Sequence, residues 1–244
     1  MTKTLGLIGT GMIGGTLARL AVAAGLNVVL SNSRGPASLA DLVAGLGDQA
    51  RAATPVAAAE ESDLVVATIP LAAYAQLPAA ALAGATVIDT MNYYPERDGR
   101  IAELDAQALT SSAMVQRHLA ESRVVKAFNN IGFYSLGPLA RPSNAADRSA
   151  LPIAGDDDAA KASATELLDA VDTGSLADSW RSEPGTPVYV QPYAPRPLPE
   201  GLAPQDALKW LADNSVPLSA DRVRELIASA VRGPAGGSLP NRDA

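Results

Sequence analysis

Four glycines fall among residues 9–16 of "LIGTGMIGGT", between an apolar run and a stretch with helical spacing. A turn of this kind holds phosphate, because backbone amides and the positive end of a helix converge on it. Two chemistries use such a turn. A nucleoside-triphosphate loop needs a lysine directly after its second glycine to reach the terminal phosphates. Counted from Gly9, the second glycine is Gly14 and the lysine position holds Gly15, so Thr16 stands there without a charge. The alternative, G-x-G-x-x-G, is met by Gly9, Gly11 and Gly14. In that pattern the first glycine allows the tight turn, the second admits a pyrophosphate, and the third permits close helix–strand contact. Thr10, Met12 and Ile13 fill the positions between and beside them.

The end of the next apolar run selects the nucleotide. An acid about 20 residues past the fingerprint would hold the ribose 2′-hydroxyl of NAD. "VVLSNSRGP" has none; Ser31, Asn32, Ser33 and Arg34 stand there instead. Hydroxyls and an amide donate to phosphate, and a guanidinium grips it bidentately. The expected cofactor is therefore NADP.

Strand ends further along supply the remaining candidates. Thr68 and Pro70 in "ATIP" and Asn92 in "DTMNYYP" form walls around the nicotinamide end, with Thr68 and Asn92 placed to bond ribose or carboxamide. Asp89 reads as an acceptor for loop amides. Lys126 in "VVKAFNN" is the lysine closest to the expected cleft and the candidate general acid, weighed against a plain strand residue. His118, the sole histidine, falls late in a predicted surface helix and reads as solvated. Asp156–Asp158 precede a helix and read as N-cap and dipole residues rather than metal ligands.

These residues need a scaffold. "TLGLIG", "LNVVLS", a weak "ARAA", "DLVVATIP", "ATVIDT", "RVVKAF", "ALPIAG" and a run near "AVDTG" read as strands. Helical segments alternate with them: "MIGGTLARLAVAAG", "ASLADLVAGLG", "PVAAAEE", a broken "YAQLPAAALAG", "SSAMVQRHLA", and about 157–170. Continuous apolar strands alternating with helices imply an α/β, doubly wound, Rossmann-type and mostly parallel sheet. Its ligands lie beyond the strands' carboxyl ends. The expected NADP-binding domain is 1–183. Residues 184–244 read as a proline-rich linker, two amphipathic helices ("QDALKWLADN" and "SADRVRELIASAVRG") and a flexible tail. The second helix carries Val223, Leu226, Ile227, Ala230 and Val231 on one face, to pack on its own chain or on a second subunit.

Composition narrows the function. The 244 residues carry a net charge of −7 with no cysteine. Disulfides, thiolate catalysis and cysteine-bound metal are excluded, and no basic stripe exists for nucleic acid. No apolar run approaches the roughly 20 residues of a membrane span, and the N-terminus lacks a signal-peptide pattern. The expectation is a cytoplasmic protein acting on a small molecule, with no nucleic-acid or membrane partner. Carbonyl reduction needs a proton donor, yet no tyrosine has a lysine four residues later, and the chain lacks the length for a β-hydroxyacid dehydrogenase's helical domain. A flavin or deazaflavin ring accepts hydride at carbon and needs alignment more than an acid.

"GTGMIGGTLARL", "SNSRGP", "TIP", "DTMNYYPERDG" and "VVKAFNNI", in this order, resemble the NADP oxidoreductases dependent on coenzyme F420, over roughly residues 4–183. The resemblance implies hydride transfer between NADPH and the deazaflavin as co-substrate. It also implies NADP contacts from Thr10, Met12, Ile13, Ser33 and Arg34, with Ile69 and Pro70 beside the nicotinamide, and a homodimer. Two other readings stand beside it: an NADPH-dependent reductase of another acceptor (flavin, ferric chelate, imine or small carbonyl) and a non-catalytic NADP(H) sensor. An open slot opposite the nicotinamide marks an enzyme, whereas Tyr93, Tyr94 or Phe128 would fill it in a sensor.

Overall fold

The computed structural model describes residues 3–143, 145–194 and 198–238. Among them eight strands form one sheet: β1 (Thr4–Ile8), β2 (Asn27–Ser31), β3 (Ala50–Ala52), β4 (Leu64–Ala67), β5 (Thr86–Asp89), β6 (Arg123–Lys126), β7 (Ala150–Gly155) and β8 (Asp169–Asp172), in the order β3-β2-β1-β4-β5-β6-β7-β8. The helices are α1 (Met12–Ala23), α2 (Ala40–Leu46), α3 (Pro55–Glu60), α4 (Pro95–Asp98), α5 (Ala102–Asp105), α6 (Ser111–His118), α7 (Phe133–Leu136), α8 (Asp158–Thr165), α9 (Pro204–Asp213) and α10 (Ala220–Ala228).

Strand residues alternate between two cores, as a period of two demands. In β4, Leu64 and Val66 pack with the α1 and α8 side, whereas Val65 and Ala67 pack with Leu71, Leu104 and Met114. Burial of both faces explains the uninterrupted apolar strands. The strand order turns outward from β1 to β2 on one side and β4 on the other, so β1 and its glycine turn sit at the switch point.

The sheet is mostly parallel, as expected, with one antiparallel join, where β7 runs against β6. Between them the chain, with the short α7, never crosses back to the amino edge, so the next strand must start at the carboxyl edge. The helix expected over 157–170 stops at Thr165, because residues 169–172 pair with β7 instead. The broken helix around Pro78 is a 3-10 turn at Leu71–Gln76 followed by turns, with Leu77 and Leu82 anchoring it in the core. Asp157 caps α8 through the Ala160 amide, as its position before the helix suggested.

Described residues beyond 183 fold back onto the sheet. Val188 and Tyr193 are fully buried, and the Asn130 amide binds both the Val188 carbonyl and the Tyr193 hydroxyl. α10 lays Val223, Leu226 and Ile227 on β7 and β8 of its own chain, while Val231 projects into solvent. The flexible tail expected at 233–244 is docked over its described part, residues 233–238; the rest lies outside the described residues. The Gln107 amide donates to the Gly233 carbonyl at 2.9 Å, and the Gly237 amide to the Tyr93 carbonyl at 3.2 Å. Gly236 has φ +87°, and a Cβ there would stand 2.8 Å from Pro95. No helix among the described residues is long and apolar enough to cross a membrane.

Candidate functional site

The turn after β1 is built by close approach. The Gly9 amide donates to Ser31, closing β1 on β2, and the Thr68 hydroxyl donates to the Gly9 carbonyl at 2.6 Å. A Cβ on Gly14 would lie 2.2 Å from that same carbonyl oxygen, so α1 presses directly on the turn. At Gly11, by contrast, an added Cβ meets nothing within 4 Å. No side chain caps the start of α1, and no acid lies in its first turn. The first amides of this helix and its positive dipole end therefore open onto the same empty space as Gly11. In the same turn the Thr10 hydroxyl is sealed from solvent without a partner among the described residues. An orphaned hydroxyl costs about 1–3 kcal/mol, and a phosphate oxygen beside it would remove that cost. The turn fits a pyrophosphate. Met12 is 66% exposed and Ile13 half-buried at the opening.

The end of β2 divides the four candidate donors. Ser31 is fully buried and donates to the Leu7 carbonyl at 3.0 Å. Asn32 accepts from the Arg34 amide and donates to Ser38, shaping the bend. Ser33 and Arg34 are exposed, and among the described residues the Arg34 guanidinium has no hydrogen bond or ion pair. Of the four, Ser31 and Asn32 are engaged within the fold, whereas Ser33 and Arg34 keep exposed side chains. Thr68 and Asn92 are engaged within the fold as well. Thr68 locks the glycine turn, and buried Asn92 exchanges hydrogen bonds with Asn129, joining the loops after β5 and β6. Half-buried Ile69 and exposed Pro70 remain beside them.

The loop after β5 is held from below. Arg97 donates to the Asn92 carbonyl, lies 4.9 Å from the Tyr94 ring centroid and pairs with Asp98. Burial opposes the Asp98 charge, but hydrogen bonds from Arg97 and from the Tyr94 and Ala72 amides outweigh it and hold its carboxyl below the usual range. A lowered carboxyl stabilises the fold above its unfolded value, about 3.9, and this contribution disappears as pH falls through the folded value. Asp98→Asn is therefore expected to remove part of the acid sensitivity below about pH 4, read by near-ultraviolet circular dichroism of the tyrosines. An unchanged acid profile would refute the assignment. Tyr93, Tyr94 and Phe128, the residues weighed as slot-fillers, are all buried in the body. Tyr94 and Tyr189 share a hydrogen bond through their hydroxyls.

Lys126 does not present its ammonium to an open cleft. Its side chain is 1% exposed, donating to the Met91 carbonyl at 2.5 Å and the Ser111 hydroxyl at 2.9 Å. Asp89 and Glu183 each lie 3.6 Å away. Asp89 accepts from the Met91 amide, as its sequence position suggested, and also from the Ser112 hydroxyl at 2.6 Å. The general-acid role considered for Lys126 gives way to that of a buried hub. Sequence reasoning missed Glu183, Ser111 and Ser112, which come from distant segments and match no spacing motif. His118, expected to be solvated, is half-buried and bonds the Leu77 carbonyl at 3.0 Å.

A doubly wound sheet with an open, uncapped glycine turn and no acid at the end of β2 has the layout of a Rossmann-type dinucleotide-binding protein. Residues 4–93 match the family described as NADP oxidoreductase, coenzyme F420-dependent, which contains both the turn and the Arg34 bend. Among solved structures, a hypothetical protein from Sinorhizobium meliloti is similar at 27% identity and TM-score 0.67, over 78% of this chain and 94% of that one. A protein assigned as an F420-dependent NADP reductase from Arthrobacter shares 23% identity and TM-score 0.60, over 72% and 86%. A reductive aminase from Aspergillus terreus shares the fold at 20% identity and TM-score 0.52, over 72% and 56%. No curated protein matches the chain.

Proposed function

We propose that this protein transfers a hydride between NADPH and a deazaflavin of the coenzyme F420 type. The observation that carries the cofactor half is the pairing of an open helix start, with its orphaned Thr10 hydroxyl, and an unpartnered Arg34 one strand away. The amides of Gly11–Ile13 would hold the pyrophosphate, with Thr10 donating to it. Arg34 and Ser33 would take the 2′-phosphate, and Ile69 and Pro70 would flank the nicotinamide. NADPH supplies the hydride. The protein contributes alignment and exclusion of water, since Lys126 is engaged in a buried cluster and its ammonium is turned from the cleft. An acceptor ring that delocalises charge suits such a surface. The family match over residues 4–93 supports the same acceptor class.

Purified protein mixed with NADPH is expected to turn over the deazaflavin, followed by its absorbance, faster than FMN or a carbonyl panel. Turnover confined to the carbonyls would overturn the acceptor assignment; tight NADPH binding without any turnover would overturn the enzymatic one. Arg34→Ala is expected to weaken NADPH binding about ten- to a hundredfold, the 1.5–3 kcal/mol of a charge-assisted contact. NADH binding should barely change, as titration of each nucleotide would read. Equal losses for both would show that Arg34 does not read the phosphate.

A further inference from the structure

Arg34 can grip a phosphate only from a backbone that stands still, and the bend after β2 has little packing to hold it. No side chain between Ser31 and Leu39 is buried, and Ser33 and Arg34 are exposed. Hydrogen bonds hold the bend instead. Asn32 Oδ1 accepts from the Arg34 amide at 2.9 Å, an Asx-turn that closes the chain two residues ahead. Asn32 Nδ2 donates to Ser38 Oγ at 2.9 Å, and that hydroxyl donates to the Gly35 carbonyl at 2.7 Å. The three contacts close a ring around Arg34.

The far side of the bend is fixed as well. Gly35 has φ +88° and ψ 164°, a region open essentially to glycine alone. Pro36 follows at the start of the 3-10 turn Pro36–Leu39, its φ locked by the pyrrolidine, and Leu39 anchors that turn in the core. Arg34 therefore has its main chain set from both directions, while among the described residues its guanidinium has no hydrogen bond or ion pair. Such a division suits a ligand contact. A cation on a mobile bend must order backbone and side chain together when it binds, and fixing the backbone beforehand removes part of that cost. Asn32 is less suited to be the contact itself, because its carbonyl oxygen and an amide hydrogen are committed to the bend.

We propose that Asn32, buttressed by Ser38, is the positioning residue for NADPH-over-NADH selectivity: it holds the Arg34 bend ready for the 2′-phosphate and acts through Arg34 without touching the nucleotide. This role rests on the reading of Arg34 as the 2′-phosphate contact. Titration of the full chain with NADPH and with NADH, followed by the fluorescence of the reduced nicotinamide, needs no acceptor. Asn32→Ala is expected to weaken NADPH about three- to tenfold and to leave NADH within about twofold. In a chain already carrying Arg34→Ala, the same substitution should change NADPH affinity by less than about twofold, because no guanidinium is left to position. Asn32→Ser, whose hydroxyl can still accept from the Arg34 amide, should recover part of the loss. Ser38 is exposed, so Ser38→Ala tests the same contacts without endangering the fold; NADPH should weaken about two- to fivefold with NADH unchanged. Equal losses of both nucleotides in Asn32→Ala, or no loss of either, would overturn the assignment. So would a loss that persists in full beside Arg34→Ala, which marks a direct contact from Asn32. Arg34→Ala alone reports on the underlying reading. If it keeps the NADPH preference, that reading falls and this role with it; if the preference is lost there while Asn32→Ala binds at parental affinity, this role alone falls.

Discussion

Lys126→Met is expected to remove about 3–5 kcal/mol of folding stability, the effect of leaving buried charges without their partner. The substitution preserves length and apolar volume but strands Asp89 and Glu183 around a methyl group, with the Met91 carbonyl and Ser111 hydroxyl losing a shared donor. In a chain of this size the loss corresponds to a Tm lowered by about 6–20 °C. Adding Asp89→Asn and Glu183→Gln should recover a substantial part of it, because neutral amides cost far less to bury than unpaired carboxylates. Urea melts of the single and triple variants measure both effects. A single-variant loss under about 1 kcal/mol, the size of an exposed pair, would show that the ammonium is not the hub described.

Gly14→Ala is expected to disable the cofactor turn. The new Cβ would meet the Gly9 carbonyl at 2.2 Å and the Thr68 hydroxyl at 2.6 Å, the very pair that fixes the turn. Backbone on both sides must shift, which costs about 1–3 kcal/mol. A misplaced turn loses NADPH affinity by a similar energy, about five- to 150-fold. Gly11→Ala separates binding from folding. Its Cβ meets no protein atom, so the melting curve should stay unchanged. It would occupy the space where the pyrophosphate is proposed, so NADPH affinity should still fall. If Gly11→Ala bound NADPH normally, the phosphate would have to lie elsewhere.

Glycine spacing and the missing acid were legible in the sequence because both are local. A turn that must pass close to phosphate needs glycine whatever surrounds it, and the end of β2 lies a fixed distance past the turn. The alternation of strands and helices was legible for a related reason: strands buried on both faces are apolar throughout. Ser31, Thr68 and Asn92 were harder. A hydroxyl or amide at a strand end can face the ligand or the backbone, and the choice depends on a neighbouring strand. Ser31 turns to Leu7, Thr68 to Gly9, and Asn92 to Asn129.

By itself the sequence determined the architecture and set the nucleotide to expect, since periodicity, glycine placement and the Arg34 bend act within a few residues of one another. Only the tertiary structure decided the reversed β7, the docked strap and the environment of Lys126. Each of these depends on contacts between segments far apart in the chain, from Asp89 through Ser111 and Lys126 to Glu183. Burial and charge pairing are properties of that assembled neighbourhood, and no spacing along the chain encodes them.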